Sequence, residues 1–208
     1  MNKIITVSRE FGSGGRELGK RLAEHLGFAY YDKEVLAALA EQSQMDEKYL
    51  GRLLEGGSPH YFPITYGRSF TLGSGLVGQH QQQGKTGLLS QQQRILRDFA
   101  AKSDSVIVGR GADYILREWR PFSLFVYGDM PEKLARCRRY ASEEAEELSD
   151  KKLLAQIRRI DKSRAQLYEL ISGGKWAARE NYQLCLNTTG ISIKEIVPWL
   201  AEYILHCF

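Results

Sequence analysis

Glycines and charged side chains are concentrated in a short segment near the start of the chain. Residues 4–7 are β-branched and apolar, residues 12–15 read Gly-Ser-Gly-Gly, and a helical pattern begins at Arg16. A strand, a glycine-rich loop and a helix N-terminus in this order let backbone N–H groups surround a phosphate, and glycine accepts the positive φ that such a loop needs. The alternative is a turn that joins strand to helix without a ligand. The predicted phosphate-binding residues are Gly12, Ser13, Gly14, Gly15, Arg16 and Glu17.

This segment departs from the usual phosphate-loop pattern, G-x-x-x-x-G-K-[ST]. With its second glycine at Gly15, Glu10 stands at the first glycine, Arg16 at the lysine and Glu17 at the hydroxyl residue. Arg16 supplies a fixed cation with several donors in place of lysine. Residues 84–86, Gly-Lys-Thr, also look like the end of a phosphate loop. The preceding glycine is one residue too far away and no buried strand leads into them, so we do not assign them a nucleotide.

Three further side chains follow predicted strands. Arg110 comes directly after the strand predicted at 105–109, and its planar fork suits a phosphate, although a surface ion pair is the alternative. Asp113 has a spacing that lets it orient Arg110 or hold a substrate hydroxyl, or else cap the next helix. Asp32 ends the second strand, where it contacts a nucleotide ribose or base, or serves as a plain N-cap.

The long charged region 131–172 carries most of the remaining arginines. Such a helix is usually a solvated face, but Arg158, Asp161 and Arg164 are three residues apart and share one face, with the acid between two cations. This spacing suits two guanidinium groups aimed at a phosphate, and an ion-pair ladder without a ligand is the alternative. The arginines expected to be mainly solvated are Arg136, Arg138, Arg139 and Arg159.

The elements that position these residues alternate between strands and helices. The predicted strands cover 2–7, 28–31, 105–109, 123–127 and 183–187. The predicted helices cover 16–26, a segment after Asp32, 46–55, 88–101 and the region 131–172, which has a break near 142 and 149. A capping box at 192–195 opens the final helix. This order predicts a three-layer α/β domain in which ligands bind at the carboxyl ends of the strands. Residues 56–87 show no clean period.

The composition of the chain argues against several classes of protein. A chain of 208 residues fits one domain, and a net charge of +4, from 29 basic and 25 acidic residues, is too small to indicate nucleic acid. The three cysteines form neither a disulfide framework nor a metal-ligand spacing. No apolar run approaches the ~20 residues of a membrane span, and residues 4–7 are too short for a signal peptide. We therefore expect a soluble cytoplasmic protein without membrane or nucleic-acid partners.

Together these segments resemble the cytidylate kinase-like branch of the P-loop nucleoside monophosphate kinases. The resemblance runs over most of the chain and weakens across 56–87; its segments are 5–17, 31–34, 106–114, 161–164, 175–176 and 181–187. It implies one kinase-like domain over 1–208, with a five-stranded parallel sheet, a monophosphate-binding insertion at 33–100 and a helical lid at 138–158.

The resemblance also implies roles for individual residues. Arg110, Asp113, Asp161 and Asp32 would contact the acceptor, whereas Asn187 and Thr188 would lie near the adenine of ATP. The arginines that would act in catalysis are Arg16, Arg139, Arg158 and Arg164. Mg²⁺ would be held through the phosphates, with Glu17 or Asp113 as the protein ligand. The chain lacks the acid that such kinases carry just before the Gly-Arg of the third strand, where it has Val108.

The sequence thus predicts ATP- and Mg²⁺-dependent transfer of a phosphoryl group to a nucleoside monophosphate, with CMP or dCMP first among the acceptors. A kinase for another small acceptor is one alternative. Another is a non-catalytic nucleotide-binding or regulatory protein, which the missing lysine, hydroxyl and acid favour. The arginine-rich helices alone suggest a nucleic-acid-binding module, which is the weakest reading.

Overall fold

The computed structural model describes residues 2–47, 49–51, 81–140 and 148–208. Five strands form one parallel sheet in the order β2-β3-β1-β4-β5. This confirms the predicted five-stranded parallel α/β fold, with strand bounds within about two residues of the expected ones. The strands are β1 Ile4–Arg9, β2 Ala29–Tyr31, β3 Ser105–Val108, β4 Phe122–Tyr127 and β5 Leu184–Asn187.

Helices pack on both faces of this sheet. They are α1 Gly15–Leu26, α2 Glu34–Ser43, α3 Gln81–Lys102, α4 Ala112–Ile115, α5 Met130–Arg139, α6 Asp150–Ser172 and α7 Ile193–His206, with single 3₁₀ turns at Arg117–Trp119 and Arg179–Asn181. Helix α3 begins seven residues before the predicted start at 88, so residues 81–87 are helical rather than irregular. The Gly-Lys-Thr triplet at 84–86 therefore lies inside a helix and forms no loop.

The central strand β1 contributes to two hydrophobic clusters because alternate side chains point to opposite faces of a sheet. Ile4 packs with α2, α3 and α4 on one face. Ile5 and Val7 pack with α1 and α7 on the other. The three-layer arrangement follows, and it brings the carboxyl ends of β1, β3 and β4 to one edge.

Two capping predictions need correction. The N-cap of α2 is Lys33 and not Asp32, whose carboxylate instead lies against two arginines. Ser192 is the N-cap of α7, but its hydroxyl makes no capping hydrogen bond, so the capping box does not form. In contrast, α1 ends as predicted at Gly27, whose φ of 69° is left-handed.

The remaining boundaries concern the insertion and the lid. Residues 47 and 49–51 of the helix predicted at 46–55 are helical, and the rest of that helix lies outside the described residues. In the region 131–172, α5 ends at Arg139 and α6 begins at Asp150 with Ser149 as its N-cap, as the predicted break near 149 requires, whereas residues 141–147 lie outside the described residues. The insertion at 33–100 and the lid at 138–158 stay predictions, since parts of both lie outside the described residues.

Candidate active site

The glycine loop connects β1 to α1 at the middle of the sheet. Gly12 and Gly14 have φ values of 79° and 83°, as predicted, and Gly14 is the N-cap of α1 without a side-chain cap. The first N–H groups of a helix have no partner within it, and here they face the loop. Gly15 does not have a positive φ; a Cβ there would lie 2.5 Å from Cβ of Arg9. The expected strand, loop and helix are therefore present.

Contacts from two later elements hold the back of this loop. The Ser13 hydroxyl donates to Glu10 O at 2.8 Å, and Ser13 O accepts from the Thr188 hydroxyl at 2.7 Å and from Arg136 Nη1 at 3.1 Å. Arg136 also donates to the carbonyl oxygens of Thr188 and Ile191. Both Arg136 and Thr188 are buried, which fixes the loop against the segment after β5.

These contacts give Arg136 and the segment after β5 a different role from the one predicted from the sequence. The sequence predicted that Arg136 lies on a solvated face. This prediction is wrong, because Arg136 is only 6% exposed. Thr188 is fully buried and supports the glycine loop, whereas Asn187 is exposed and its side chain accepts from Thr189 N at 3.0 Å. A contact of Asn187 or Thr188 with adenine stays a prediction.

Arg16 and Arg9 share one carboxylate at the end of β2. Arg16 Nε lies 2.6 Å from Asp32 Oδ2, and Arg9 Nη2 lies 3.6 Å from Asp32 Oδ1. Asp32 is buried, so this is an ion-paired cluster and not a surface pair. The side chain at the phosphate-loop lysine position is therefore directed toward Asp32. The cluster places Asp32 next to the glycine loop, as its assignment to the site requires.

A second ion-paired cluster joins the glycine loop to α5 and α6. Lys133 Nζ lies 3.0 Å from Glu10 Oε2 and 3.0 Å from Asp161 Oδ2, and Lys133 is 3% exposed. Asp161 Oδ1 accepts from Phe11 N at 2.6 Å. Burial raises the pKa of Asp161, while Arg164 and Lys133 act in the opposite direction. Asp161 thus holds the loop, and its contact with an acceptor stays a prediction.

The predicted face of α6 forms only in part. Asp161 pairs with Arg164 at 3.4 Å and with Lys133, rather than lying between Arg158 and Arg164. Arg164 Nη1 donates to Arg9 O at 3.0 Å, and its guanidinium lies over the Phe11 ring. Arg158 and Arg139 are exposed, on the two helices that flank residues 140–149. Their catalytic role in the lid stays a prediction.

A small open cleft lies beside the glycine loop, at the carboxyl ends of β1 and β3. Arg110 lies there as predicted, with a left-handed φ of 61° between two left-handed glycines. Arg164 reaches the cleft from α6, and Arg9 reaches it from β1. The residues that line the cleft are Ser8, Arg9, Gly109, Arg110, Gly111, Arg164, Leu167, Tyr168 and Trp176. Three arginines and one tryptophan therefore face one concave space.

Asp113 lies behind this cleft in a buried polar cluster. It sits in the first turn of α4 and is not its N-cap, which is Gly111. Its carboxyl lies 3.5 Å from the Ser8 hydroxyl and close to the Tyr168 hydroxyl. Burial raises the pKa of Asp113, and burial together with Asp113 raises the pKa of Tyr168. The Tyr168 hydroxyl therefore keeps its proton beside this carboxyl.

The raised pKa of Asp113 predicts a pH-dependent stability. Because the folded state holds this proton more tightly than the unfolded state does, stability from this group is lost as pH rises through and above its ordinary pKa of 3.8. The free energy of unfolding of the Asp113→Asn variant, measured in urea, should therefore increase relative to that of the wild type as pH rises from about 4 to 7. Asp98→Asn, an exposed site on α3, is the control, and a pH-independent difference for Asp113→Asn would contradict the expectation.

The two proposed magnesium ligands have other partners. Glu17 Oε1 lies 2.8 Å from Arg21 Nε on the same helix, and Asp113 is buried with Ser8 and Tyr168. Among the described residues, no group of three or more metal-ligating side chains comes together. These donors do not form a preassembled magnesium site, so we derive no step that depends on a metal held by the protein. The assignment of Glu17 or Asp113 as a ligand stays a prediction.

Sequence reasoning missed three residues of this region: Arg9, Lys133 and Arg136. Lys133 and Arg136 lie three residues apart on α5 and share its buried side with Cys137. A spacing of three and four residues that ends on a cysteine indicates a buried face, and this signal was available. Arg9 carried no such signal, because the glycine that faces its guanidinium, Gly109, is 100 positions away along the chain.

Comparison with known proteins identifies the family to which this chain belongs. A family model described as "Cytidylate kinase-like family" matches residues 4–190, which is most of the chain and includes both ion-paired clusters and the cleft. The chain belongs to the cytidylate kinase-like family. This confirms the resemblance that its segments predicted. Comparison with functionally curated proteins gave no significant match.

Three solved structures share the fold of this family member over nearly the whole chain. An uncharacterized protein from Eubacterium ventriosum is 24% identical, with a TM-score of 0.67, over 97% of this chain and 98% of that one. Shikimate kinase from Bacteroides thetaiotaomicron is 16% identical, with a TM-score of 0.58, over 99% of each chain. A gluconokinase from Sinorhizobium meliloti is 14% identical, with a TM-score of 0.53, over 99% of this chain and 93% of that one. At these identities the likeness concerns the fold.

None of the helices within the described ranges is both long and apolar enough to cross a bilayer.

Proposed function

We propose that this protein is an ATP-dependent phosphotransferase whose acceptor is a nucleoside monophosphate, with CMP and dCMP as the first acceptors to test. The observation that carries the proposal is the position of the glycine loop directly beside a cleft lined by three arginines, at the carboxyl edge of the sheet. Phosphoryl transfer needs the two substrates aligned and the charge of the transferred group neutralised, and these elements serve those needs.

The donor side is assigned to the loop and the N-terminus of α1. Gly12 and Gly14 shape the backbone, and the partial positive charge of the helix terminus favours a phosphate by about 0.3–1 kcal/mol. Arg16 adds a guanidinium at the lysine position. When Mg²⁺ is bound with ATP, it neutralises charge on the donor phosphates. Asn187 and Thr188 are assigned to the adenine side.

The acceptor side is assigned to the cleft and its surroundings. Arg110 and Arg164 face the cleft and provide bidentate donors for an anionic group. Asp32 and Asp113 are assigned to the sugar or base of the acceptor, and Asp161 to the alignment of Arg164. Arg139 and Arg158 close over the transferring group when the lid at 138–158 moves.

A non-catalytic nucleotide-binding protein is the second candidate. Specific observations favour it: Arg16 is paired with Asp32 and Glu17 with Arg21, so both side chains at the two altered loop positions are already engaged by other side chains. The neighbours named shikimate kinase and gluconokinase keep a third candidate open, in which the acceptor is a small acid rather than a nucleotide.

One set of measurements separates these candidates. Thermal unfolding is recorded with ATP, with and without Mg²⁺, and ADP release is measured with CMP, dCMP, the other monophosphates, shikimate and gluconate. ADP formed only with a monophosphate supports the proposal, and ADP formed only with an acid supports the third candidate. A thermal shift with ATP and no ADP with any acceptor supports the non-catalytic candidate. No shift with any nucleotide overturns the first two.

Replacing Arg16 with alanine tests the donor assignment. A ligand at about 100 times its Kd stabilises by about 2.7 kcal/mol, which raises Tm by roughly 5–10 °C in a chain of this size. We expect Arg16→Ala to remove the ATP-dependent part of this shift because it removes the cation of the loop. Arg21→Ala, on the same helix, should keep the shift. An unchanged ATP shift in Arg16→Ala would remove Arg16 from the donor site.

A further inference from the structure

Residues 175–176 and 181–182 belong to the segments that carry the family resemblance, but the proposed function gives them no role. The structure joins them into one unit between α6 and β5, because the side-chain amide of Asn181 donates to Lys175 O at 3.0 Å. The 3₁₀ turn that ends at Asn181 brings the two pairs together. This unit carries Trp176, which lines the cleft.

The backbone directly after Trp176 is held in an unfavourable conformation. Ala177 has a left-handed φ of 61°, which is costly for a residue that carries a Cβ. Such strain persists only where the surrounding structure fixes it, and it is concentrated at functional sites. The hydrogen bond between Asn181 and Lys175 encloses Ala177 and closes the unit on both sides of it. The conformation of Ala177 therefore sets the direction in which the chain leaves Trp176.

An aromatic cluster supports Trp176 on the side of the sheet. The ring centroids of Trp176 and Phe125 lie 5.4 Å apart with planes at 82°, and those of Phe125 and Tyr182 lie 5.1 Å apart. Phe125, in β4, and Tyr182 are buried, whereas Trp176 is half-buried. In a nearly perpendicular pair, Phe125 covers at most one face of the indole. The support is thus part of the core, and part of the Trp176 side chain stays accessible.

The cleft has an apolar side and a polar side. Trp176 lies on the apolar side with Leu167 and Tyr168, which both belong to α6. A ligand that suits both sides has a flat apolar ring joined to a polar or charged group. A nucleotide has this composition, because its base presents a π face that stacks on aromatic side chains. Shikimate and gluconate have no aromatic ring.

We propose that Trp176 is a specificity-determining residue that stacks against the base of the acceptor and so selects nucleotides over small aliphatic acids. This rests on the proposed function in taking the cleft as the acceptor site. The contact with Phe125 and the hydrogen bond of Asn181 hold the indole in place before the ligand binds, so that little conformational freedom is lost on stacking. Since every base has a π face, Trp176 supplies a preference for a base and not for a particular base.

The test uses the full chain and two probes that both carry a 5′-phosphate on ribose and differ in the base, CMP and ribose 5-phosphate. Their affinities are measured by isothermal titration calorimetry for the wild type, Trp176→Leu and Trp176→Phe. The wild type should bind CMP at least about tenfold more tightly than ribose 5-phosphate, and Trp176→Leu should reduce this ratio to less than about threefold. Trp176→Phe keeps a ring and should retain most of the ratio. The affinity for ribose 5-phosphate should be equal in the three proteins, because it has no base to stack.

Trp199→Leu is the matched control, since Trp199 is 74% exposed on α7 and should leave the ratio unchanged. The chain has three tryptophans, so replacing Trp119 and Trp199 with phenylalanine leaves Trp176 as the only indole. In that protein CMP should quench the tryptophan fluorescence in proportion to its binding, and ribose 5-phosphate should not. A purely structural role of Trp176 would not produce this signal. The measurement keeps Trp176 and so does not depend on the folding of Trp176→Leu.

The outcomes separate this inference from the proposed function. A wild-type ratio in Trp176→Leu overturns the inference and leaves the proposed function standing, as does CMP binding that does not change the fluorescence of Trp176. A wild type that binds CMP no more tightly than ribose 5-phosphate also overturns the inference. A ratio that depends on Trp176, without ADP formation on any acceptor, supports the inference and contradicts the proposed catalysis. ADP formation with shikimate or gluconate alone overturns both.

Discussion

Replacing Lys133 with methionine is expected to lower the free energy of unfolding by about 3–5 kcal/mol at neutral pH. The substitution removes the ammonium that lies 3.0 Å from both Glu10 and Asp161 while it keeps most of the buried side-chain volume. Two carboxylates then remain in a poorly solvated position without their shared cation, and this is the costly way to break a buried ion pair. Urea unfolding of the wild type and variant measures the difference.

The control for this prediction is Lys20→Met. Lys20 lies 3.8 Å from Glu24 on α1, and both side chains are more than 60% exposed, so the loss there should stay below about 1 kcal/mol. The deficit of Lys133→Met should also shrink as pH falls, because burial raises the pKa of Asp161 and protonation of this carboxyl removes one of the two negative charges that Lys133 balances. A deficit that is the same at pH 5 and pH 8 would show that packing, and not charge, is what Lys133 contributes.

The sequence predicted the sheet and the loop well because both depend on local patterns. Short β-branched runs give buried strands, and the glycines at 12 and 14 need a conformation that few other residues accept. The position of Arg110 followed from its strand in the same way, because the carboxyl ends of parallel strands share one edge. These features require no knowledge of which distant residues meet.

The sequence predicted the partners of charged side chains poorly. Lys133 and Arg136 lie in a charged helix that reads as solvated, yet both are buried because Glu10, Asp161 and the carbonyls after β5 reach them from elsewhere in the chain. Charged residues are rarely buried unless paired, so burial depends on a tertiary partner that periodicity does not reveal.

The local rule for helix capping failed at Asp32 for the same reason. An aspartate just before a helix favours the N-cap, but here its carboxylate is occupied by Arg16 and Arg9. Leaving a buried charge without its partner costs about 3–5 kcal/mol, which exceeds the roughly 1 kcal/mol that a cap contributes. Capping signals are thus least informative at the ends of strands, where charged residues of several elements converge.

The position of Arg136 leads to a second large expected effect, since Arg136→Ala should lower the free energy of unfolding by about 3–5 kcal/mol. This guanidinium donates to Ser13 O, Thr188 O and Ile191 O and lies 3.4 Å from Glu132, so its removal takes three hydrogen bonds and one ion pair from a buried position. Chemical denaturation measures the loss. Because the glycine loop would also lose its support, the ATP-dependent thermal shift should decrease in the same variant.

Arg139→Ala is the matched comparison on the same helix. Arg139 is exposed, so its replacement should change the free energy of unfolding by less than about 0.5 kcal/mol. If Arg139 acts in the lid, the rate of ADP formation should fall in this variant although its stability does not. If Arg136→Ala lowers the free energy of unfolding no more than Arg139→Ala does, the contacts of Arg136 with the loop contribute little to stability. The pair therefore separates an arginine that builds the site from one that is expected to act in it.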